Sequence, residues 1–434
     1  MSLADAILLD SIVWPLCGAL LVLGKRLTAT HPASMYLIFH VLVFSSRSWG
    51  LVGGADRFMQ MTDAEAVRAL VMADVLLAVL TASWLLPAPA RWDERPASVK
   101  PMNPSVFLAV SIVALPIGLY FLATNTYTAG SGLQDRAIST SYEIFAITWP
   151  GLVLLAAVYL YGFRWYLVGP LAAYLLFMGL QGEGRFRLIL PSILVAQIYL
   201  DRKGRKLPDL RVLVLLGALV VAFPGLDALG ESYRTGTLST SSVVKTLTES
   251  FGDLSGGTTS DQQIFDQFAV SLTLSDELGH PQYGRHFVDL LALPIPRPLW
   301  PDKPATNEHL IAISTVHRPL AEVGTVFTLP GELYTDWRWP GVVILGFALG
   351  RFLLWIYHRA YTLGYGSVGH FVYLLLAAFF VQTFRDGLST LPIFLLVENA
   401  PLMAMALISL HWKQPKPEGH GLAPGYAAWL RSRA

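Results

Sequence analysis

Charged residues are scarce in this 434-residue sequence, of which 14% are Asp, Glu, Lys or Arg and 54% are hydrophobic. Ordinary soluble domains contain about 25% charged residues, so an ordinary soluble protein is excluded. The deficit comes from apolar runs that are too long for soluble helices and are typical of membrane spans. Cysteine is nearly absent too. The single Cys17 excludes a disulfide framework and a cysteine-ligated metal site.

Strong charge bias and the motifs of soluble enzymes are also missing. The formal net charge is +1, and no run of like charges indicates a nucleic-acid partner. The sequence contains no glycine-rich nucleotide loop followed by Lys and Ser, no HExxH and no GxSxG. Nothing therefore points to the nucleotide-dependent or hydrolytic chemistry that these motifs carry.

The apolar runs predict an all-α integral membrane protein of about eleven transmembrane helices with one long extracytoplasmic loop. The first run does not resemble a cleaved signal peptide, because its start carries Asp5 and Asp10 rather than a basic cluster. The predicted domains are a bundle over 1–228, the loop over 229–338, further spans over 339–410 and a tail over 411–434. The spans are placed at about 6–24, 33–53, 64–86, 105–123, 144–161, 165–181, 187–200, 212–228, 339–357, 367–384 and 391–410.

Lysine and arginine are distributed unequally between alternate loops, which predicts the orientation. The richer set includes Lys25, Arg26, Arg91, Arg95, Lys100, Arg164, Arg202, Lys203, Arg205, Lys206, Arg211, Arg359, Lys413, Lys416, Arg431 and Arg433. The opposite set is Arg57, Arg68, Arg136, Arg185, Arg187 and Arg385. The bias predicts an outer N-terminus, a cytoplasmic C-terminus and an outward long loop. No predicted cytoplasmic loop is long enough for a nucleotide-binding domain, so any reaction must use a donor that is already membrane-borne and activated.

The long loop is net acidic, with thirteen acidic and six basic residues over 229–337. Bulk attraction of an anion is therefore excluded, and phosphate recognition would require individually placed cations. Residues 261–275 place Ile264, Phe265, Phe268 and Leu272 on one helical face, which predicts an amphipathic helix on the bundle. No internal repeat is visible, so the paired halves of many secondary transporters are not evident.

Several arginines are predicted at the outer membrane surface. Arg185 and Arg187 lie in the short hairpin 181–187, Arg385 lies in the hairpin between the last two spans, and Arg47 lies near the outer end of the second span. Guanidinium suits bidentate phosphate contacts, so these side chains are candidates for a diphosphate site. Interfacial anchoring is the alternative for each of them.

Among the ionisable residues that fall within predicted spans are His40, Asp74 and Glu398. Such residues are costly in a membrane and often functional. Their scatter along the sequence predicts no contiguous proton relay, so helix packing or a water-filled cleft explains them equally well.

The stretch 294–334 is the most distinctive segment, because it combines prolines, cations, carboxylates and aromatics beside a predicted span. Glu332 is expected to be exposed, as a catalytic carboxylate or as a cap of the ninth span. Trp300 is either a ligand contact or an interfacial aromatic residue, and the prolines either shape a site or stiffen the loop.

These motifs resemble those of bacterial O-antigen and exopolysaccharide repeat-unit polymerases, which are multi-span glycosyltransferases related in fold to the O-antigen ligases. The similar segments are GEGRFRLILP, IPRPLWPDKP and GTVFTLPGELYTDWRWPG, which together cover about 60 residues of the chain. The residues that match are Arg297, Trp300, Pro301, Lys303, Pro304, Gly331, Glu332 and Tyr334. The aromatic-Gly pair usual after the Gly-Glu-x-Tyr segment is replaced here by residues 336–339.

The resemblance implies a metal-independent polymerisation without a cofactor at the outer leaflet of the bacterial inner membrane. A chain on undecaprenyl diphosphate would be the donor and a lipid-linked repeat unit the acceptor, beside membrane lipid and with a chain-length regulator as a further possible partner. The candidate catalytic residues are Glu332, Glu308 and His309. The candidate substrate-binding residues are Arg185, Arg187, Arg234, Arg297, Trp300, Lys303, Tyr334 and Arg385.

Two alternatives remain open at this point. A ligase would use the same donor but transfer finished chains to a lipid core or a protein. A transporter of lipid-linked sugars would place charges along the bundle and contain two similar halves.

Overall fold

The computed structural model describes residues 1–57, 60–89, 92, 99–124, 145–181, 186–210, 212, 214, 244, 248, 263–277, 279–285, 287, 299–301 and 327–412. These residues are predominantly helical, and no strand occurs among them. Their helices are α1 (Leu3–Leu23), α2 (Pro32–Val52), α3 (Asp63–Leu85), α4 (Pro104–Thr124), α5 (Trp149–Tyr161), α6 (Trp165–Gln181), α7 (Phe186–Arg202), α8 (Gln263–Glu277), α9 (Thr328–Pro340), α10 (Gly346–Leu363), α11 (Val368–Asp386) and α12 (Ala400–His411).

Six of these helical stretches are long and apolar enough to cross a membrane, which agrees with an all-α membrane protein. They are α1, α2, α3, α4, α11 and the continuous stretch of α9 and α10. Leu388–Glu398 and α12 meet at 78° and would together form a seventh. The predicted fifth, sixth and seventh spans coincide with the shorter helices α5, α6 and α7, and most of the predicted eighth span lies outside the described residues.

Local sequence signals explain where two of these helices begin. Ser2 and Asp5 form a reciprocal capping box at the start of α1, and Thr62 and Glu65 do the same for α3. Such caps satisfy the amide groups that the first helical turn leaves without partners. Asp5, whose charge argues against a signal peptide, thus has a local structural role.

The centre of the bundle is α3, which packs against α1, α10 and α8. Gly350 of α10 allows close approach, because a Cβ there would lie 1.9 Å from the Ser83 hydroxyl oxygen. The indole of Trp84 donates to the Gly350 carbonyl at 3.1 Å. Small residues at such crossings are typical of membrane helix pairs, where dispersion contacts replace a hydrophobic driving force.

Helix direction gives the bundle two distinct ends. One, the mouth end, gathers the end of α2, the start of α3, the helices α8 and α9 and the end of α11, with α8 packed on both α3 and α9. The other, the loop end, is joined by backbone hydrogen bonds from Ala29 to Lys206 and from Val368 to Lys100. In the predicted orientation the mouth end faces outward.

Candidate functional site

The helix α8 confirms the helix predicted over 261–275 and its apolar face, but not an exposed polar face. Ile264, Phe265, Phe268 and Leu272 are at most 1% exposed. The rings of Phe265 and Phe268 lie 6.2 and 5.6 Å from the ring of Phe44 on α2. The apolar face therefore packs the helix onto the mouth end of the bundle. Most of its polar residues, such as Asp266, are buried as well and make contacts within the protein.

A buried ion pair fixes α8 to α2. Arg47 donates from Nε to Asp266 Oδ1 at 2.9 Å and from Nη2 to Asp266 Oδ2 at 2.7 Å. The two side chains are 1% and 0% exposed, and Arg47 also donates to the Asp56 carbonyl at 2.6 Å. Arg47 was expected among the surface cations of the mouth, but its bidentate contact with Asp266 makes it a buried structural residue.

A second cluster lies at the same end and consists of Arg68, Asp276, Tyr334 and Arg338; we call it the mouth cluster. Its charged side chains are partly exposed, and Tyr334 is buried. Arg68 Nη1 lies 2.6 Å from Asp276 Oδ2, and Arg68 Nη2 donates to the Tyr334 hydroxyl at 2.5 Å. That hydroxyl donates to Asp276 Oδ1 at 2.7 Å. Arg338 Nη1 reaches the same oxygen at 3.4 Å. The cluster thus joins α3, α8 and α9.

Both guanidinium groups of the mouth cluster also lie against the Tyr334 ring. The guanidinium carbon is 5.0 Å from the ring centroid for Arg68 and 5.2 Å for Arg338, within the range of cation–π contacts. Arg338 adopts φ 56°, an uncommon backbone for a side chain of this size. The two guanidinium groups are held around one ring. The mouth cluster therefore contains two positive charges and only one carboxylate, that of Asp276.

The electrostatics of the mouth cluster favour an ionised Asp276. Burial raises the pKa of this carboxyl, but hydrogen bonds from Arg68 and Tyr334, together with the charges of Arg68 and Arg338, outweigh burial and lower it. Arg68 and Asp276 are 29% and 44% exposed. Solvent and a mobile anion can therefore reach the pair, unlike the pair of Arg47 and Asp266.

Glu332 does not have the environment that the sequence predicted. The expected exposure is wrong, since the residue is 5% exposed. Its carboxylate accepts the amide of Ser389 at 2.9 Å on one oxygen and the amide of Leu388 on the other. Glu332 thus binds the turn that follows α11, and its catalytic role stays a prediction.

Arg385 belongs to this same turn. Its Nη1 donates to Asp386 Oδ1 at 3.0 Å, and Gln382 donates to the other oxygen of Asp386. Arg385 is 21% exposed. Glu332 of α9 therefore holds the turn at Gly387 from one side. Arg385, in the helix that leads into this turn, places a guanidinium group close to the mouth end.

The remaining predicted site residues are only partly visible. Arg187 lies in α7, and Trp300 is 40% exposed. The other members of the predicted site lie outside the described residues: Arg185, Arg234, Arg297, Lys303, Glu308 and His309. Their roles stay predictions. Among the described residues, Arg68 and Arg338 are the cations of the mouth cluster, and neither was among the predicted site residues.

The loop end contains a polar cavity of about 230 Å³ that the sequence argument also missed. Tyr361 donates to Asp201, whose second oxygen lies 3.1 Å from His370 Nε2. Arg205 and Lys206 line its rim. The tyrosines around residue 360 and the basic run 202–206 were the signal for this cavity in the sequence. The polar side chains in it already satisfy one another's hydrogen bonds.

The expected scatter of intramembrane ionisable residues is wrong for two of the three. His40 Nε2 lies 3.4 Å from Asp74 Oδ1 and 2.9 Å from Asp10 Oδ1. Asp10, His40 and Asp74 form the group of potential metal ligands found within the described part of the chain. Glu398 belongs to the segment before α12 and is not part of this group.

In comparisons with protein-family models, curated proteins and solved structures, no match to this chain was found.

Proposed function

We propose that this protein joins lipid-linked oligosaccharide repeat units, using a chain on undecaprenyl diphosphate as the donor. The motifs in 294–334 support this proposal through their resemblance to repeat-unit polymerases. The observation that carries it is the mouth cluster, in which Tyr334 of the Gly-Glu-x-Tyr motif lies between Arg68 and Arg338. The motif residue Tyr334 therefore contacts Arg68 from a distant helix and Arg338 from its own segment.

The mouth cluster suits the leaving group of this reaction. When an acceptor hydroxyl attacks the anomeric carbon, the carbon–oxygen bond to the lipid diphosphate breaks and negative charge grows on that diphosphate. Fixed guanidinium groups stabilise such charge without having to reorganise. Asp276 now pairs with Nη1 of Arg68, and Nη2 donates to the Tyr334 hydroxyl. A diphosphate that enters would replace this partly exposed carboxylate and take both nitrogens of the fork.

The acceptor side requires a different assignment for Glu332. Both of its carboxylate oxygens accept backbone amides of the turn after α11, so the carboxylate is already engaged in holding that turn. We therefore assign Glu332 to positioning. Glu308 and His309 are the candidates for the base that takes the proton of the acceptor hydroxyl.

Replacement of the two cations tests the proposal. Arg68→Ala and Arg338→Ala should each lower polymer formation from a purified lipid-linked repeat unit in proteoliposomes by about 10²-fold or more, as loss of a preorganised donor does. Arg68→Lys should recover little activity, because ammonium cannot supply a planar fork. Arg205→Ala at the loop end, where the side chain is 49% exposed, is the matched control.

Full activity in the double variant Arg68→Ala with Arg338→Ala would contradict the assignment of the diphosphate site. Melting temperatures measured in parallel separate lost recognition from lost folding. The same assay distinguishes the alternatives, since a ligase would consume the donor only with a different acceptor, and a transporter would move the lipid-linked sugar without forming a glycosidic bond. The mouth cluster recognises only the donor's diphosphate, so it serves a ligase equally well.

A further inference from the structure

A buried polar cluster lies inside the bundle, away from the mouth cluster. Asp10 of α1, His40 of α2 and Asp74 of α3 have their ligand atoms within 4.8 Å of one another. Their exposed fractions are 0%, 0% and 4%. Ser45 adds a hydrogen bond to Asp10 Oδ1 at 3.1 Å. The three helices that carry these side chains are all apolar enough to cross a membrane.

The cluster contains more hydrogen-bonding atoms than it can satisfy. Asp10 Oδ2, His40 Nδ1 and both oxygens of Asp74 are buried without a hydrogen-bond partner, and the hydroxyls of Tyr36 and Thr81 are too. Each such buried atom costs roughly 1–3 kcal/mol. The simplest explanation for so many unpaired polar atoms is therefore a bound species that satisfies several of them at once.

A bound cation would also balance the charge of the cluster. The ion pairs of Asp10, His40 and Asp74 among the described residues are only with each other. Two carboxylates leave a charge that is costly in a membrane interior unless a cation or protons neutralise it. A divalent cation with a neutral imidazole and two carboxylates makes the group neutral.

The spacing fits a small metal ion. Ligands that lie 2.0–2.2 Å from a metal, at tetrahedral or octahedral angles, are separated from each other by about 2.8–3.6 Å. The distances from His40 Nε2 to Asp10 Oδ1 and to Asp74 Oδ1 are 2.9 and 3.4 Å. Imidazole is a ligand for transition metals and zinc, whereas Mg²⁺ and Ca²⁺ prefer oxygen alone.

We propose that Asp10, His40 and Asp74 bind a divalent metal ion of the zinc or manganese class that clamps α1, α2 and α3 together. His40 precedes Arg47 by seven residues, and Asp74 follows Arg68 by six, so the site lies about 10 Å below the mouth. The ion holds the two helices that carry Arg47 and Arg68. Its role is structural, and the proposal does not depend on the glycosyl-transfer chemistry.

Metal content of the full-length protein tests this directly. The chain is purified in detergent with a tag that lacks histidine, and its zinc, manganese, iron and cobalt are measured by mass spectrometry. Wild type should contain about one ion per chain, and His40→Gln or Asp74→Asn should contain roughly tenfold less. His370→Gln is the matched control, because it removes another buried histidine that pairs with an aspartate.

Wild type alone decides the case if either variant fails to fold. Its melting temperature should fall after treatment with a chelator and recover on addition of Zn²⁺ or Mn²⁺. Substitution by Co²⁺ should give visible absorption that is absent from Asp74→Asn. Wild-type protein with no bound metal and no response to added ions would overturn the proposal, and the cluster would then hold a proton. Equal metal content in wild type, His40→Gln and Asp74→Asn would overturn it too.

Discussion

Replacing Glu332 by Gln is the sharpest test of how the Gly-Glu-x-Tyr segment works. The two carboxylate oxygens accept amides from Leu388 and Ser389, which are the first residues after Gly387. Gln has a similar size but only one acceptor oxygen. Its NH₂ group would meet one of the two amides, so a hydrogen bond would be replaced by two facing donors in a buried position.

The expected cost follows from these contacts. A hydrogen bond to a charged group contributes about 1.5–3 kcal/mol, and an unpaired buried donor costs about 1–3 kcal/mol. We therefore expect Glu332→Gln to lose about 2–4 kcal/mol of unfolding free energy. A general base without this structural role would behave oppositely, because its loss lowers turnover by about 10²–10⁴-fold and leaves stability unchanged.

Melting of the purified protein in detergent, with turnover measured in parallel, distinguishes the two roles. Glu277→Gln is the matched control, because Glu277 is exposed at the end of α8. Glu332→Gln should melt at a lower temperature than both wild type and this control. A Glu332→Gln protein with the wild-type melting temperature and lost turnover would refute the structural reasoning and restore the catalytic assignment.

Three further changes have outcomes that the contacts determine. Asp266→Asn should cost about 3–5 kcal/mol of unfolding free energy, because it leaves Arg47 charged and buried; a melt equal to wild type would contradict this. Gly387→Ala should cost about 1–3 kcal/mol, since φ is +98° and a Cβ would lie 2.7 Å from Glu332 Oε2, and its effect should not add fully to that of Glu332→Gln. The lowered pKa of Asp276 gives stability that is present above its ordinary pKa of 3.8 and lost as pH falls through the lower folded value. Melting temperatures between about pH 4 and pH 2 should therefore fall less in Asp276→Asn than in wild type, by a small amount because solvent screens this exposed pair.

The parts of the fold that follow from local pattern were predictable. Long apolar runs located the six stretches that can cross a membrane, since their hydropathy is a property of consecutive residues. The face of α8 was predictable because Ile264, Phe265, Phe268 and Leu272 recur with the helical period. The helical period identifies the apolar face, but it does not show what covers that face or that the polar residue Asp266 is buried too.

The partners of charged side chains were not predictable, because they are distant in sequence. Glu332 meets an amide 56 positions away, and Arg47 meets a carboxylate 219 positions away. Periodicity and local propensity contain no information on such pairs. The exposed environment expected for Glu332 rested on its polar neighbours in the sequence, yet the helix carries the side chain inward.

The buried cluster could have been predicted from how deep each ionisable residue lies within its span. His40 and Asp74 are 34 positions apart and Asp10 lies on a third apolar run, so their spacing in the sequence does not link them. Counted from the mouth end, Asp10 lies about two turns into its helix, and His40 and Asp74 lie about three turns into theirs. Ionisable residues at similar depth on neighbouring spans are expected to meet, because burying each one alone would be costly.

The spacing of Glu332 and Tyr334 explains how one short motif serves both the fold and the proposed site. Residues two positions apart on a helix are rotated by about 200°, so these side chains leave α9 on opposite faces. Glu332 holds the turn after α11, and Tyr334 lies between Arg68 and Arg338. Loss of the Glu332 contact would release α9 from that turn and disturb the ring around which both guanidinium groups are arranged. The carboxylate would then be required for the proposed diphosphate recognition without touching the reacting atoms.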